Sequence, residues 1–259
     1  MSFAGKAVLV TGSTTGIGEA CARLFAESGA KVMVSGRRSA AGQAVVEAIR
    51  AAGGDAQFAA ADLRAAGACE RLVVDTVERL GGLDVLVNNA GILYTANALD
   101  TSEEQWLDTM AVNVTALFYL SRAAVKHMKA AGGGAIVNVA SEWGLNGEAN
   151  HVAYCASKGA VVQITRCMAL DHARDHIRVN SVCPGEIHTR MVDDILAKRG
   201  GNIAEQLREL AAGIPLRRLA HPIEVARCVH FLASDLASYV TGTNLSVDGG
   251  NDATAGPYP

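Results

Sequence analysis

The chain has 259 residues, half of them hydrophobic, and 23 Lys+Arg against 26 Asp+Glu leave a formal net charge of −3. With 27 Gly, 5 Pro and 19% charged residues, the composition excludes a disordered chain and suits one α/β core, a class that reaches about 250 residues in a single domain. Balanced charge argues against a nucleic-acid or anionic-membrane surface, and no run reaches the roughly 18 apolar residues of a membrane span.

The N-terminus runs from Met1 to Lys6 straight into an apolar strand predicted at 7–10, leaving no room for a secretion signal. Six scattered cysteines without C-x-x-C spacing read as reduced thiols, so a cytoplasmic protein is expected. After the strand, Thr11-Gly12-Ser13-Thr14-Thr15-Gly16-Ile17-Gly18 opens a helix carried by Ala20, Ala22, Leu24 and Phe25. In such a strand, turn and helix, Gly12 can take the tight turn, Gly16 can admit a pyrophosphate close to the backbone, and Gly18 can pack helix on sheet.

A second strand at 31–34 ends in Ser35-Gly36-Arg37-Arg38. Sites for NAD usually place a carboxylate there to bind the ribose 2′-hydroxyl. Gly36 removes that carboxylate, and the guanidinium forks of Arg37 and Arg38 suit a 2′-phosphate, so NADP(H) is favoured with NAD(H) as the alternative. A weaker third run at 56–59 precedes Asp62-Leu63, and a fourth at 83–87 precedes Asn88-Asn89-Ala90-Gly91.

The fifth strand, at 135–139, leads to Ser141, and a long helical stretch then carries Tyr154-Cys155-Ala156-Ser157-Lys158. Tyr154 and Lys158 are four apart and share a helix face. A free tyrosine titrates at about pH 10, so a neighbouring ammonium, joined by the positive charge of an oxidised nicotinamide, is expected to lower Tyr154 toward the working range as a general acid and base. The sixth strand, at 177–182, is followed by Pro184-Gly185-Glu186-Ile187-His188-Thr189 and a helical segment at 191–210 that is a candidate lid. A seventh strand is predicted at 244–247, and 251–259 reads as an extended C-terminal tail.

Strands apolar on both faces and alternating with helices predict a doubly wound Rossmann sheet of seven parallel strands, in one domain over 1–259. No His/Cys/Asp cluster has metal-ligand spacing. Tyr94, Glu142, Trp143, His151, Glu186 and His188 are expected to face the substrate, and so polar a set suits a small polyhydroxylated alcohol.

With G-x-x-x-G-x-G after the first strand and the other motifs in order, the chain resembles the compact short-chain dehydrogenase/reductases from about residue 5 to 250. The resemblance implies interconversion of an alcohol and a carbonyl, with Asn113, Ser141, Tyr154 and Lys158 catalytic. Ser141 would hydrogen-bond the substrate oxygen, Lys158 would hold the nicotinamide ribose, and Asn113 would position a proton-relaying water. The loop with Thr14, Thr15 and Ile17 would take the diphosphate, Asp62 and Leu63 the adenine, and Asn89, Ala90 and Gly91 the adenosine ribose. Pro184, Gly185, Ile187 and Thr189 would orient the nicotinamide, and a homotetramer is expected. A 3-oxoacyl-(acyl carrier protein) reductase, a hydroxysteroid dehydrogenase and a non-catalytic nucleotide-sensing module are the alternatives.

Overall fold

Short β-branched runs cover both faces of a sheet only if alternate residues enter different cores. The computed structural model, which describes residues 1–253 and omits the side chains of Ala66, Lys198 and Arg199, shows this arrangement. Val8 and Val10 of β1 (Ala7–Val10) join one apolar cluster, while Ala7 and Leu9 join the other. The same alternation places Val32 and Val34 opposite Met33 in β2 (Lys31–Gly36), and Val85 and Val87 opposite Leu86 in β4 (Val85–Asn88).

The strands form a seven-stranded, all-parallel sheet in the order β3-β2-β1-β4-β5-β6-β7. Its remaining members are β3 (Asp55–Ala60), β5 (Gly134–Val139), β6 (Ile177–Pro184) and β7 (Asn244–Val247). Helices α1 (Gly16–Glu27), α2 (Ser39–Ala51) and α9 (Pro222–Ala233) cover one face. The other carries α3 (Ala66–Leu80), α5 (Ala116–Ala131) and α6 (Val152–His172). The doubly wound Rossmann fold is therefore as expected.

The weak third run is a full strand because Asp55 to Ala60 pair residue for residue with Lys31 to Gly36. The predicted lid is two helices, α7 (Arg190–Arg199) and α8 (Ile203–Gly213). At the C-terminus the expected extended tail begins instead as a 3₁₀ turn, Asn251–Ala253. Asp248 causes it by accepting from the Gly250 and Asp252 amides at 3.0 and 2.7 Å. Residues 254–259 lie outside the described residues.

Strand order reverses between β1 and β4, where the crossovers part to opposite faces. In open α/β sheets the crevice at such a point, outside the carboxyl ends of the strands, is where ligands bind.

Candidate active site

At this point the loop after β1 lies against the loop after β4. Gly12 and Gly16 adopt φ of +62° and +61°, the left-handed region that glycine enters freely. A Cβ at Gly12 would stand 2.8 Å from the Ala90 Cα, so the two loops touch backbone to backbone. Asn89 secures the contact by donating from Nδ2 to the Thr11 and Gly12 carbonyls at 2.9 and 3.1 Å. A side chain at Gly18 would strike that same Nδ2, so Gly18 supports the loop from behind the cleft.

A cleft of about 920 Å³ runs from this loop along the carboxyl edge of the sheet. Its walls include Gly12, Thr14, Thr15, Gly16, Ile17, Arg37, Arg38, Asp62 and Leu63 at one end, and Ser141, Tyr154 and Lys158 at the other. Asn89, Ala90, Gly91, Pro184, Gly185, Ile187 and Thr189 line it as well. A Cβ at Gly36 would lie 2.7 Å from Thr14 Cγ2, so the acid of an NAD-type site would require the Thr14 side chain to shift. Arg37 and Arg38 are exposed and make no ion pair among the described residues.

Sequence reading missed the group facing these arginines. Arg64 donates from Nη1 to both Asp62 oxygens at 2.9 Å and from Nε to Asp108 Oδ1 at 2.7 Å. The Tyr94 hydroxyl donates to Asp108 Oδ2 at 3.0 Å. The D-L-R run at 62–64 was the available signal, but its partner belongs to α4 (Glu103–Met110).

The chemical end is built on a break in helical regularity. Between α4 and α5 the chain makes a π turn, Ala111–Thr115, a feature frequent at functional sites. It carries Asn113, which is buried and lies outside the cleft wall. Its Oδ1 accepts from the Ile92 amide at 2.8 Å, and its Nδ2 donates to the Ile92 carbonyl at 2.9 Å and to Ser157 Oγ at 3.0 Å. Both amide protons are thus committed to the protein's own atoms.

The loop leaving β5 turns through a 3₁₀ segment, Glu142–Gly144, packed on α6 so tightly that a Cβ at Gly144 would meet the Lys158 carbonyl at 2.7 Å. This contact sets Ser141 toward Tyr154. Ser141 Oγ accepts from the Trp143 amide at 3.2 Å, which leaves its own proton free to donate. The Lys158 ammonium donates to the Val139 carbonyl at 2.8 Å and stands 5.5 Å from the Tyr154 ring centre.

The chain's own groups act on this pair chiefly through burial. Burial pushes the Tyr154 phenol up to about 12, only partly offset by the Ser141 hydroxyl. Burial also pulls Lys158 down to about 8. The chain's own groups hold a phenol beside an ammonium.

Of the positions expected to face substrate, Tyr94 lines the cleft; Glu142, Trp143, His151, Glu186 and His188 are absent from its wall. Glu142 turns inward, where its Oε2 accepts from Asn251 Nδ2 at 3.2 Å. Burial, with Glu186, Asp248 and Asp252 nearby, pushes its carboxyl up to about 7. His151 is bound at both ring nitrogens, to the Ala149 carbonyl at 2.8 Å and Thr95 Oγ1 at 3.2 Å, and its ring lies 4.6 Å from that of Trp143. His188 faces Asp193 at 3.4 Å.

A doubly wound sheet with a glycine loop at its switch point and a Ser, Tyr and Lys converging at the cleft's far end defines a dinucleotide-dependent oxidoreductase. The chain belongs to the short-chain dehydrogenase/reductase family and is an oxidoreductase of the kind that acts on CH–OH groups. A family model described as enoyl-(acyl carrier protein) reductase matches residues 12–252. An uncharacterised oxidoreductase of Thermotoga maritima is 44% identical over 98% of this chain and 100% of its own. Meso-2,3-butanediol dehydrogenase of Serratia marcescens is 39% identical over 99% and 98% of the two chains. Among solved structures, one from Beutenbergia cavernae, described as an NAD(P)-dependent gluconate 5-dehydrogenase with NADP bound at low occupancy, superposes with a TM-score of 0.91. It is 38% identical and covers 98% of this chain and 99% of its own.

Proposed function

We propose that this protein interconverts a small secondary alcohol and its ketone with NADP(H), using Tyr154 as the acid and base. The observation that carries the reading is one cleft with unpaired arginines at the adenine end and Ser141, Tyr154 and Lys158 at the other. The glycine loop would hold the diphosphate, Arg37 and Arg38 the 2′-phosphate, Asp62 and Leu63 the adenine, and Lys158 the nicotinamide ribose. The close backbone approach at Gly12 and Ala90 fits such a group.

When bound, the cofactor supplies or accepts a hydride, and its oxidised form adds positive charge beside the phenol. In reduction, Tyr154 gives its proton to the substrate oxygen while the free Ser141 proton hydrogen-bonds the same atom as charge develops on it. In oxidation the same phenol must first lose its proton, which burial opposes and the positive charge of the oxidised cofactor favours. Lys158 stabilises the phenolate as a buried cation, and Asn113 holds the 92–94 loop at the correct height.

The substrate reading moves from a polyol toward a compact alcohol or diol. Glu142 and His151, two of the polar side chains that favoured a polyol, are held in internal bonds, and Ile92, Leu93, Val112, Met191, Val192 and Ile195 contribute to the wall. A carrier-protein reductase needs a basic docking surface, whereas Lys129 is paired with Asp175 at 2.7 Å and Arg122 with Glu70 at 2.9 Å.

Free thiols at all six cysteines support a cytoplasmic setting. Exposed Trp106, Leu107, Phe118, Val152 and Leu170 on α4 to α6 support a homotetramer. No helix among the described residues is long and apolar enough to cross a membrane. The test compares the rise in thermal midpoint with saturating NADPH and with NADH, since a ligand that binds the native state raises it. A larger rise with NADPH supports the reading, and Arg37→Ala should then weaken NADPH far more than NADH. Equal losses would return the cofactor to NAD(H).

A further inference from the structure

The adenine end of the cleft has one carboxylate in its wall, Asp62, and a second, Asp108, is joined to it through Arg64. Asp62 lies in the loop after β3 and lines the cleft; Asp108 lies on α4, 46 residues further along the chain. Arg37, Asp62 and Arg64 line the same wall, so carboxylates left uncompensated there would repel a doubly charged 2′-phosphate.

Arg64 prevents this by taking both. Its guanidinium spans the gap in a fork, with Nη1 at 2.9 Å from each Asp62 oxygen, Nε at 2.7 Å from Asp108 Oδ1 and Nη2 at 3.5 Å from Asp108 Oδ2. Asp62 Oδ1 also accepts from the Arg64 amide at 3.2 Å, and Tyr94 caps the second Asp108 oxygen at 3.0 Å. Both carboxylates therefore have cationic partners that are not Arg37. Arg37 and Arg38 are left without ion-pair partners among the described residues, in the wall of the same cleft.

We propose that Arg64 is a positioning residue for cofactor preference: by neutralising Asp62 and Asp108 in one bridge, it keeps Arg37 available to a 2′-phosphate. This inference rests on the NADP(H) reading. Its chemistry is electrostatic, so it discriminates NADPH from NADH, which shares every other contact. A lysine could not span both carboxylates in the same plane, because a point ammonium lacks the fork.

The test measures dissociation constants of NADPH and NADH at low ionic strength by quenching of tryptophan fluorescence. The wild type is compared with Arg37→Ala, Arg64→Gln, Arg64→Lys and the triple variant Asp62→Asn/Arg64→Gln/Asp108→Asn. Two uncompensated carboxylates within a screening length of about 10 Å should weaken NADPH about tenfold in Arg64→Gln and NADH less than about twofold. The triple variant should recover most of the lost preference, and Arg64→Lys should fall between.

Equal losses for both cofactors, or no recovery in the triple variant, would overturn the proposal and reduce Arg64 to a loop brace. That outcome leaves the NADP(H) reading standing if Arg37→Ala still removes the preference. A wild type that binds NADH better, or Arg37→Ala losing both cofactors equally, would overturn that reading and the proposal with it. If Arg64→Gln does not fold, the double variant Asp62→Asn/Asp108→Asn reads the same charge with Arg64 in place. The ratio of NADPH to NADH affinity should then rise severalfold, any loss at the adenine falling on both cofactors alike, and an unchanged ratio would refute the idea.

Discussion

Replacing Asn113 by alanine removes three hydrogen bonds at once: the Ile92 amide at 2.8 Å, the Ile92 carbonyl at 2.9 Å and Ser157 Oγ at 3.0 Å. At about 1 kcal/mol net for each bond, with solvent reaching only part of the site, the loss is about 3 kcal/mol. For a domain of this size, about 2–4 °C per kcal/mol gives a fall in thermal midpoint of about 9 °C. Asn113→Asp sharpens the test, because a carboxylate keeps the bond from the Ile92 amide and forfeits both donations. A carboxyl held there has its folded pKa raised, so its contribution is present at low pH and lost as pH rises through that value. Its midpoint should therefore approach wild type as pH falls, while the alanine variant stays low throughout. Scanning calorimetry of the three proteins from pH 5 to 8 decides the matter. A fall of less than about 2 °C in Asn113→Ala would show that the π turn is held by other contacts.

Further outcomes follow from the same geometry. Tyr154→Phe should abolish turnover while NADPH binding, followed by fluorescence, survives; near-normal turnover would remove Tyr154 from the chemistry. Glu142, raised from about 4.5 to about 7, should make stability fall between those pH values, and Glu142→Gln should flatten that part of a midpoint-against-pH curve. Gly144→Ala forces a methyl against the Lys158 carbonyl at 2.7 Å, and should lower kcat more than tenfold in a steady-state assay by displacing Ser141. Gly36→Asp should destabilise the fold through the Thr14 clash, lowering the thermal midpoint.

Most of the fold was legible because buried parallel strands carry their own signature: β-branched apolar runs flanked by glycine turns and separated by helices. Even the weak run at Ala56 and Phe58 was found, although its true length is set by pairing with β2 and not by its own residues. The cleft was legible where a motif is local, as in the glycine loop or the Tyr154 and Lys158 pair. It failed where direction or distance decides. Nothing in the run Ser141-Glu142-Trp143 says that Glu142 turns inward to Asn251, 109 residues away. Arg64 meets Asp108 across 44 residues, a pairing no spacing rule proposes.

The reversal of strand order between β1 and β4 also divides the labour of the chain. Residues up to about Leu63 furnish the walls proposed for the nucleotide, and those from Asn89 onward furnish the chemistry and the rest of the pocket. New alcohols can thus be explored by variation in the second part while the first stays constant, and chimaeras can be cut near residue 80. Of the seams that cross the cut, two lie beside the cleft: Asn89 onto Thr11 and Gly12, and Arg64 onto Asp108. Any recombined chain that inherits one half of either seam without the other loses the alignment between its two specialities.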